Sequence, residues 1–354
     1  MPSRLITFWQ IVVLLSTLSN IDVYAFPYFK ALPALAPQSH RRATELSSTL
    51  GEQCGIEYDE PLFRPPAEWR SLILQVTIGC SWNRCTFCEM YQDKSFRVRP
   101  IGDIEDELDE VVAAGGARYV RDVFLADGDA MTLPTGVLER ILDAIRERFP
   151  RVRRVSSYCL PRNIRGKTVD ALARLRSKGL SLVYVGCESG SDTVLSAVCK
   201  GETFESSLDA LNKLQDAGIK RSVMILIGLG GRNCSEEHAT RSAALCSEAR
   251  PEFLSLLTTS FPRGKGRVEE GYGKIEKPSF QELSTRESLE EMKIFLDEVD
   301  IPRNGRTIFR SDHASNYLIL KGRLGRDREK LLTELQTALD GDKSGLRPEW
   351  LRGL

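Results

Sequence analysis

The chain has 354 residues, of which 42% are hydrophobic, and its 49 lysine and arginine residues are balanced by 49 aspartate and glutamate residues. This composition predicts an ordinary globular protein with one large core, or with a core and a small appended domain. Because positive charge is not in excess, a nucleic acid is not expected as a partner.

The first 25 residues have the pattern of a secretory signal. One basic residue, Arg4, precedes an almost uninterrupted apolar run from Leu5 to Leu18. This run is shorter than the roughly twenty apolar residues that span a membrane. We therefore predict a signal peptide cleaved after Ala25, and no membrane span in the mature chain.

Residues 26–50 have the bias of a transit peptide, with three basic residues, a single acidic residue, Glu45, and several Ala, Ser, Thr and Pro residues. A signal followed by a transit stretch that begins at Phe26 resembles the bipartite leaders of algae with complex plastids. It implies delivery to a plastid stroma, where reducing conditions preserve free thiols. The nine cysteines, in uneven positions, do not resemble a secreted disulfide framework. The mitochondrion and the secretory pathway are the alternatives.

From residue 71 onwards, short apolar strands alternate with amphipathic helical segments, which predicts a parallel sheet covered by helices. Strands are predicted at Leu72–Ile78, Asp122–Ala126, Arg154–Tyr158, Leu182–Cys187, Ser222–Ile227 and Phe253–Thr258. Helices are predicted at Ile104–Ala114, Thr135–Arg148, Thr168–Lys178, Asp192–Val198, Phe204–Ala217, Ser235–Glu248, Phe280–Val299 and Arg326–Leu339. Six such units predict an α/β fold, a partial (β/α)6 TIM-like barrel.

The domain boundaries follow from this pattern. An N-terminal extension at residues 51–70 precedes the core at residues 71–265, and an α-rich C-terminal cap is predicted at residues 266–354. Residues 262–273 are rich in glycine and charge, which is typical of a linker. We expect the cap to cover the open side of the barrel.

Three cysteines, Cys80, Cys85 and Cys88, follow the first predicted strand within nine residues. Three thiolates on a short loop can hold three irons of a 4Fe-4S cube and leave the fourth iron open to a small molecule. A structural zinc ion would need a fourth ligand, and neither Cys54 nor the three histidines show a ligand pattern. Three unrelated buried thiols are the remaining alternative.

The triplet, with Phe87 directly before its last cysteine, resembles the cluster loop of radical S-adenosylmethionine (radical SAM) enzymes, over residues 70–265. It departs from the commonest family spacing, because four residues rather than three separate Cys80 from Cys85. The layout is similar to the group that holds methylthiotransferases, elongator-type acetyltransferases and oxygen-independent coproporphyrinogen oxidases. The resemblance implies two cofactors, a 4Fe-4S cluster held by the three cysteines and S-adenosyl-L-methionine.

The resemblance also implies cofactor-binding residues at the carboxyl ends of the strands. These are Asp127, Gly128 and Asp129 after the second strand, Ser157 in the third, Glu188 and Ser189 after the fourth, and Gly228 after the fifth. In the family, a turn after the second strand meets the methionine amino group, and a Gly-X-Glu-Ser-Gly stretch places an acid near the cofactor. The alternatives are a common Asp-Gly turn and a cap for the helix that follows Glu188.

Polar residues cluster again in residues 309–322. Arg310, His313 and Asn316 are the predicted substrate contacts if the cap covers the barrel. A solvated polar connection is the alternative. His238 lies inside a predicted helix, where a surface residue is expected rather than a ligand.

The resemblance implies a radical SAM enzyme that forms a 5'-deoxyadenosyl radical and abstracts hydrogen from an unidentified small organic substrate. Its expected partners are that substrate and an electron donor such as ferredoxin or flavodoxin. No RNA-binding barrel is visible after residue 265, which argues against a methylthiotransferase acting on tRNA. The alternatives are a non-catalytic iron-sulfur or haem-binding chaperone protein on the same fold, and a zinc-binding structural module.

Overall fold

The computed structural model describes residues 50–275 and 279–352, and all of these belong to one compact unit. The predicted signal peptide at residues 1–25 lies outside the described part of the chain. The predicted leader at residues 26–50 also lies outside it, apart from its last residue, Leu50.

Among the described residues, ten strands form two sheets. They are β1 (Leu72–Gln75), β2 (Thr77–Ile78), β3 (Arg97–Val98), β4 (Asp122–Ala126), β5 (Arg154–Cys159), β6 (Leu180–Glu188), β7 (Lys220–Ile227), β8 (Phe253–Thr258), β9 (Ile308–Arg310) and β10 (Lys321–Arg323). The main sheet has the order β1-β4-β5-β6-β7-β8-β9-β10. Its neighbouring strands are parallel except β9 and β10, while β2 and β3 form a separate antiparallel pair.

Helices connect successive parallel strands. Those described are α1 (Leu50–Gln53), α2 (Ile101–Ala113), α3 (Thr135–Arg148), α4 (Arg162–Arg165), α5 (Val169–Ser177), α6 (Asp192–Ala197), α7 (Phe204–Asp216), α8 (Gly231–Ala249), α9 (Gly266–Tyr272), α10 (Thr285–Glu298) and α11 (Leu324–Leu339). Across residues 50–275 and 279–352, the helices are too short or too polar to cross a membrane.

Both faces of the main sheet are buried, and alternate residues of a strand face opposite sides. In β4, Val123 and Leu125 pack in the large core under the helices, whereas Phe124 and Ala126 join a smaller apolar cluster on the other face. Strands such as β4 are therefore nearly continuous apolar runs in sequence, as is common in parallel sheets. The predicted partial (β/α)6 barrel is confirmed, with β1 and β4 to β8 as its parallel strands.

A fully buried glutamate, Glu68, lies at the amino end of this sheet. It accepts hydrogen bonds from Tyr184 Oη at 2.6 Å, Ser71 Oγ at 2.5 Å and Arg154 Nη2 at 2.9 Å. These partners satisfy a charge that would be costly to bury alone. Since Ser71 precedes β1 and Arg154 begins β5, the network ties these two strands together at the amino end of the sheet.

The first predicted strand divides in two, whereas the other five are observed with their ends within two residues of the prediction. β1 ends at Gln75, and the next residue, Val76, still donates to Ala126 O at 3.0 Å. The carbonyl of Val76 instead accepts from Arg99 N at 3.2 Å, so β2 leaves the main sheet to pair with β3.

The segment after residue 265 adds β9, β10 and α9 to the helices that were predicted there. α9 lies among residues that the sequence indicates as a linker, because glycine has a weak helix propensity. The structure shows why one of these glycines is required: a Cβ on Gly271 would lie 2.1 Å from the carbonyl oxygen of Ala197. Close packing therefore explains why a glycine stands at position 271.

Candidate functional site

The three cysteines lie between β2 and β3 on a segment that we call the cysteine loop (residues 79–96). The pairing of β2 with β3 brings the two ends of this loop together. Gly79 turns the chain out of β2 with a φ of 73°, a conformation that glycine adopts without strain. Because β2 follows the carboxyl end of β1, the loop lies at the edge of the sheet where barrel chemistry is found.

The thiols of the loop share one electrostatic environment. Cys85 is buried, and Cys80 and Cys88 are partly buried. Burial raises the pKa of all three thiols, that of Cys85 to about 12. The positive charge of Lys200 lowers the pKa of each thiol, and backbone hydrogen bonds also lower the pKa values of Cys80 and Cys88. A metal centre binds the deprotonated thiols, so the thiol protons have to leave. Lys200 and the backbone N–H groups favour this loss because they stabilise the thiolates.

Asp129 holds the first half of the cysteine loop. Its carboxylate accepts hydrogen bonds from Ser81 N at 3.0 Å, from Ser81 Oγ, and from Asn163 Nδ2 at 3.2 Å. Burial raises the pKa of Asp129, and the bonds from Ser81 lower it. This predicted cofactor residue therefore anchors the loop, and both of its oxygens are engaged.

Asp127 and Gly128 complete the contact between β4 and the cysteine loop. Asp127 Oδ2 accepts from Gly79 N at 2.8 Å and from Lys94 Nζ at 3.0 Å, while Oδ1 is buried with no hydrogen-bond partner among the described residues. Gly128 lies against Cys80, because a Cβ added to it would be 2.8 Å from the Cα of that cysteine. Glycine is thus needed here for close approach, and Asp127 keeps one free acceptor beside it.

Glu188 forms a buried ion pair with Lys200, a residue that the sequence reasoning did not identify. Lys200 Nζ lies 3.0 Å from Glu188 Oε1, and the side chains are 3% and 12% exposed. Burial alone lowers the pKa of Lys200, but Glu188 and Cys85 together raise it above the usual value. A permanent positive charge therefore lies beside the thiols. No pattern in the sequence signals it, because Lys200 follows a short helix rather than a strand.

Trp82 attaches the cysteine loop to the segment after α6. Its Nε1 donates to Cys199 O at 2.8 Å, and the guanidinium of Arg162 lies 3.5 Å from the centre of the indole ring. Arg162 is held in turn by Glu202, whose Oε1 accepts from its Nε at 2.9 Å. A cation stacked on tryptophan at this distance is a stabilising contact.

Ser157 and Gly228, also predicted to bind cofactor, have structural partners. The Ser157 hydroxyl lies within hydrogen-bonding distance of the carbonyls of Leu125 (3.2 Å) and Tyr158 (2.9 Å). Gly228, with a φ of 86°, donates its N–H to Glu291 Oε1 at 2.7 Å. Burial raises the pKa of Glu291 to about 7. These contacts show how the ends of β5 and β7 are held, and the cofactor roles of the two residues stay predictions.

His238 is fully buried, so the expectation of a surface residue is wrong. Its Nε2 lies 3.0 Å from the carbonyl of Leu226, which can only accept, so this nitrogen carries the proton. Its Nδ1 then accepts from the Ser189 hydroxyl at 2.8 Å, and Ser189 Oγ accepts from Ser191 N at 3.0 Å. Burial lowers the pKa of His238 to about 4, so the ring stays neutral. The sequence pattern did not indicate that His238 lies on the buried face of α8. This face of the helix contacts Ser189, one of the predicted cofactor-binding residues.

The predicted substrate contacts Arg310, His313 and Asn316 have other partners. The amide of fully buried Asn316 bonds to Thr258 Oγ1 at 2.9 Å and to Leu256 O at 2.7 Å, which ties its loop to β8. His313 Nδ1 bonds to Ser315 within its own turn, and Arg310 is exposed on β9. Among the described contacts, none joins these three residues to the cysteine loop.

The residues of the loop fit a 4Fe-4S cluster better than a single ion. Within residues 50–275 and 279–352, no set of three His, Cys, Asp or Glu side chains is arranged to hold one metal ion. Thiolates of a cluster bind separate irons and need not converge on one point. The three thiols can serve as the iron ligands, and the neighbouring lysine and backbone hydrogen bonds stabilise their negative charge. Gly128, next to Cys80, has no side chain that would push the loop away.

Comparisons with known proteins agree with this site. The model of the Radical SAM superfamily matches residues 74–243, which contain all three cysteines. The 4'-phospho-dehydrooxetanocin synthase of Priestia megaterium is 28% identical over 164 residues, 42% of this chain and 22% of that protein. A tRNA-2-methylthio-N(6)-dimethylallyladenosine synthase of Dehalococcoides mccartyi is 28% identical over 203 residues, 56% of this chain and 46% of that protein. The chain thus spans less than half the length of these relatives.

Solved structures with a similar chain trace include the cobalamin-dependent S-adenosylmethionine radical enzyme OxsB. It has a TM-score of 0.45 and 18% identity, and the match covers 80% of this chain and 38% of that chain. Coproporphyrinogen III oxidase from Escherichia coli, described as a radical SAM enzyme, has a TM-score of 0.44 and 16% identity, over 78% of this chain and 70% of that chain.

Replacing Asp129 with asparagine should loosen the cysteine loop, because an amide group would face the donors of Ser81 and Asn163. Removal of a group that orients metal ligands costs on the order of tenfold in metal affinity. We expect Asp129→Asn to retain about tenfold less iron than the original chain after anaerobic reconstitution and dialysis against a chelator. Asp209→Asn, which removes an exposed carboxylate paired with Lys213, is the matched control. Equal iron retention by the two variants would contradict an anchoring role for Asp129.

Proposed function

We propose that this chain, which belongs to the radical SAM superfamily, is a radical SAM enzyme that holds a 4Fe-4S cluster through Cys80, Cys85 and Cys88. The observation that carries the proposal is the position of the three thiols. They lie at the carboxyl edge of a parallel sheet, next to a buried lysine and two buried carboxylates. Three thiolates leave one iron of a cube without a protein ligand, and that iron is the place for S-adenosylmethionine.

A 4Fe-4S cluster held by Cys80, Cys85 and Cys88 would supply one-electron reduction of S-adenosylmethionine, the chemistry that gives access to radical hydrogen abstraction. The protein has to hold the methionine end of this cofactor beside the open iron. Lys200, 3% exposed and close to all three thiols, offers a positive charge to a carboxylate. Asp127 Oδ1, which has no partner among the described residues, offers an acceptor to an ammonium group.

The contacts of Asp127 and Asp129 indicate a different role for each residue. Asp129 uses both oxygens to anchor the loop, whereas Asp127 uses only Oδ2. We therefore assign the contact with the methionine amino group to Asp127 and the positioning of the loop to Asp129. Glu188 keeps Lys200 in place, because an ion pair between buried groups fixes the geometry of both.

We propose a small organic molecule as the substrate and an acidic one-electron carrier, ferredoxin or flavodoxin, as the donor. The cysteine loop lies at the carboxyl end of the sheet, so we expect the substrate to approach from that end. Tyr158 and Phe124 form an edge-to-face aromatic pair on the neighbouring strands β5 and β4. One relative is named as the synthase of a phosphorylated compound and another as the synthase of a modified adenosine in tRNA, so both classes belong in a substrate screen.

The proposal is tested by measuring 5'-deoxyadenosine released from S-adenosylmethionine by the reconstituted, reduced chain. We expect Cys85→Ala to reduce release to the level of free reductant, because the remaining two thiolates cannot hold the cube. Cys54→Ala, which changes a partly buried thiol outside the loop, should release as much as the original chain. No release from a chain that carries a full reduced cluster would favour a carrier or chaperone, and zinc without iron would contradict the proposal.

We also propose that residues 1–50 act as a bipartite leader to a plastid stroma, from the apolar run and the transit-like stretch after Phe26. In an alga with a complex plastid, a fluorescent protein fused to residues 1–50 should accumulate in the stroma. A fusion to residues 1–25 alone should stop in the secretory pathway. Mitochondrial or secreted fluorescence from the longer fusion would contradict the proposal.

A further inference from the structure

The residues that were predicted as a linker lie against the cysteine loop. We call residues 262–272 the strap. Arg267 Nη2 donates to Cys85 O at 3.1 Å, and its Nη1 donates to Cys88 O at 3.2 Å. Arg263 adds a second attachment, because its backbone N–H lies 3.1 Å from Glu89 Oε2 and its Nη2 lies 2.6 Å from Asp93 Oδ2. One guanidinium thus joins the carbonyl groups of two of the three cysteines.

The strap is also held by packing. Val268 and Tyr272, which follow Arg267 on α9, are buried in an apolar cluster that Phe87 of the cysteine loop packs against, and Tyr272 Oη donates to Leu229 O at 2.8 Å. Gly271 packs on the carbonyl of Ala197 with no room for a side chain. These contacts fix the backbone that carries Arg267 beside the loop, so its two hydrogen bonds are well placed to restrain the loop.

The two halves of the cysteine loop depend on different contacts. The half that carries Cys80 is held by Asp129 and by Trp82 Nε1. The half from Cys85 to Cys88 is attached through Thr86 N, which donates to Val198 O at 2.9 Å, and through Arg267. This second half follows the additional residue between Cys80 and Cys85, where the loop is longer than the common family spacing.

We infer that Arg267 is a positioning residue for the cluster, which acts through the Cys85 and Cys88 carbonyls to hold those two thiolates at their ligand spacing. The inference rests on the proposed function, and it extends the site beyond the matched residues 74–243. A planar guanidinium can bond two acceptors at once, whereas a lysine ammonium is a single point of charge. The two parallel N–H donors of the Arg267 guanidinium, which we call the fork, are therefore expected to hold the loop, and not its positive charge alone.

The test compares three variants of the full chain: Arg267→Gln, Arg267→Lys and Lys265→Gln. The last is a matched control, because Lys265 is an exposed strap residue whose nearest carboxylates are 3.9 and 4.0 Å away. After anaerobic reconstitution without S-adenosylmethionine, the rate of iron loss to a chelator is measured. We expect Arg267→Gln to lose iron about tenfold faster than the original chain, and Lys265→Gln to lose it at the original rate.

Three further observations separate a positioning role of Arg267 from an effect of its charge alone and from misfolding of the variant. Arg267→Lys should lose iron at an intermediate rate, and iron loss at the original rate would overturn the role of the fork. The cluster of Arg267→Gln should have a more negative midpoint potential, because a positive charge next to it is gone. Since Arg267 is exposed, its replacement should leave the thermal unfolding of the iron-free chain unchanged.

The outcomes distinguish this inference from the proposed function. Iron loss by Arg267→Gln at the original rate would overturn the inference and leave the proposed function intact. Failure of the original chain to take up iron would contradict the proposed function, and with it the inference. Failure of Arg267→Gln alone to take up iron, with unchanged unfolding, would support the positioning role.

Discussion

The hydrogen bonds that Asp127 and Asp129 accept from Gly79 and Ser81 fix the cysteine loop on the carboxyl edge of the sheet. Everything else at the site depends on this constraint, because three thiols on an unanchored loop would not keep a ligand spacing. The anchor comes directly after a strand that is buried on both faces, so the sheet transmits its rigidity to the loop. Gly128 is the necessary companion, since any side chain there would push Cys80 away.

A second constraint is electrostatic. Cys85, Glu188 and the two aspartates bring several acidic groups together in a largely buried place, and burial raises the pKa of each thiol and of both aspartates. The positive charge of buried Lys200 offsets part of the unfavourable energy of these acidic groups. The exposed guanidinium of Arg267 lies next to the cysteine loop on its solvent side. Burial therefore disfavours negative charge at this site, and the positive charges of Lys200 and Arg267 work in the opposite direction.

The sequence predicted those features that depend on local order. Strands such as Asp122–Ala126 and Phe253–Thr258 have a continuous apolar pattern and are observed where the sequence predicts them. The three cysteines are close in the chain and lie on one loop, and their role as cluster ligands stays a prediction. Residues that work through distant partners were missed. His238 meets Ser189 across 49 residues and Arg267 meets Cys85 across 182, and no spacing rule encodes such contacts. The sequence of residues 262–273 indicates a linker for the same reason, because Gly271 serves a packing contact that only the folded chain contains.

The central claim is that one iron of the cluster is free to bind S-adenosylmethionine. The most direct measurement is the electron paramagnetic resonance spectrum of the reduced, reconstituted chain before and after S-adenosylmethionine is added. The account predicts a change in the g values, because the amino and carboxylate groups of the cofactor become ligands of the open iron. An unchanged spectrum from a fully loaded chain, at saturating cofactor, would contradict it and would indicate a cluster whose irons are all closed.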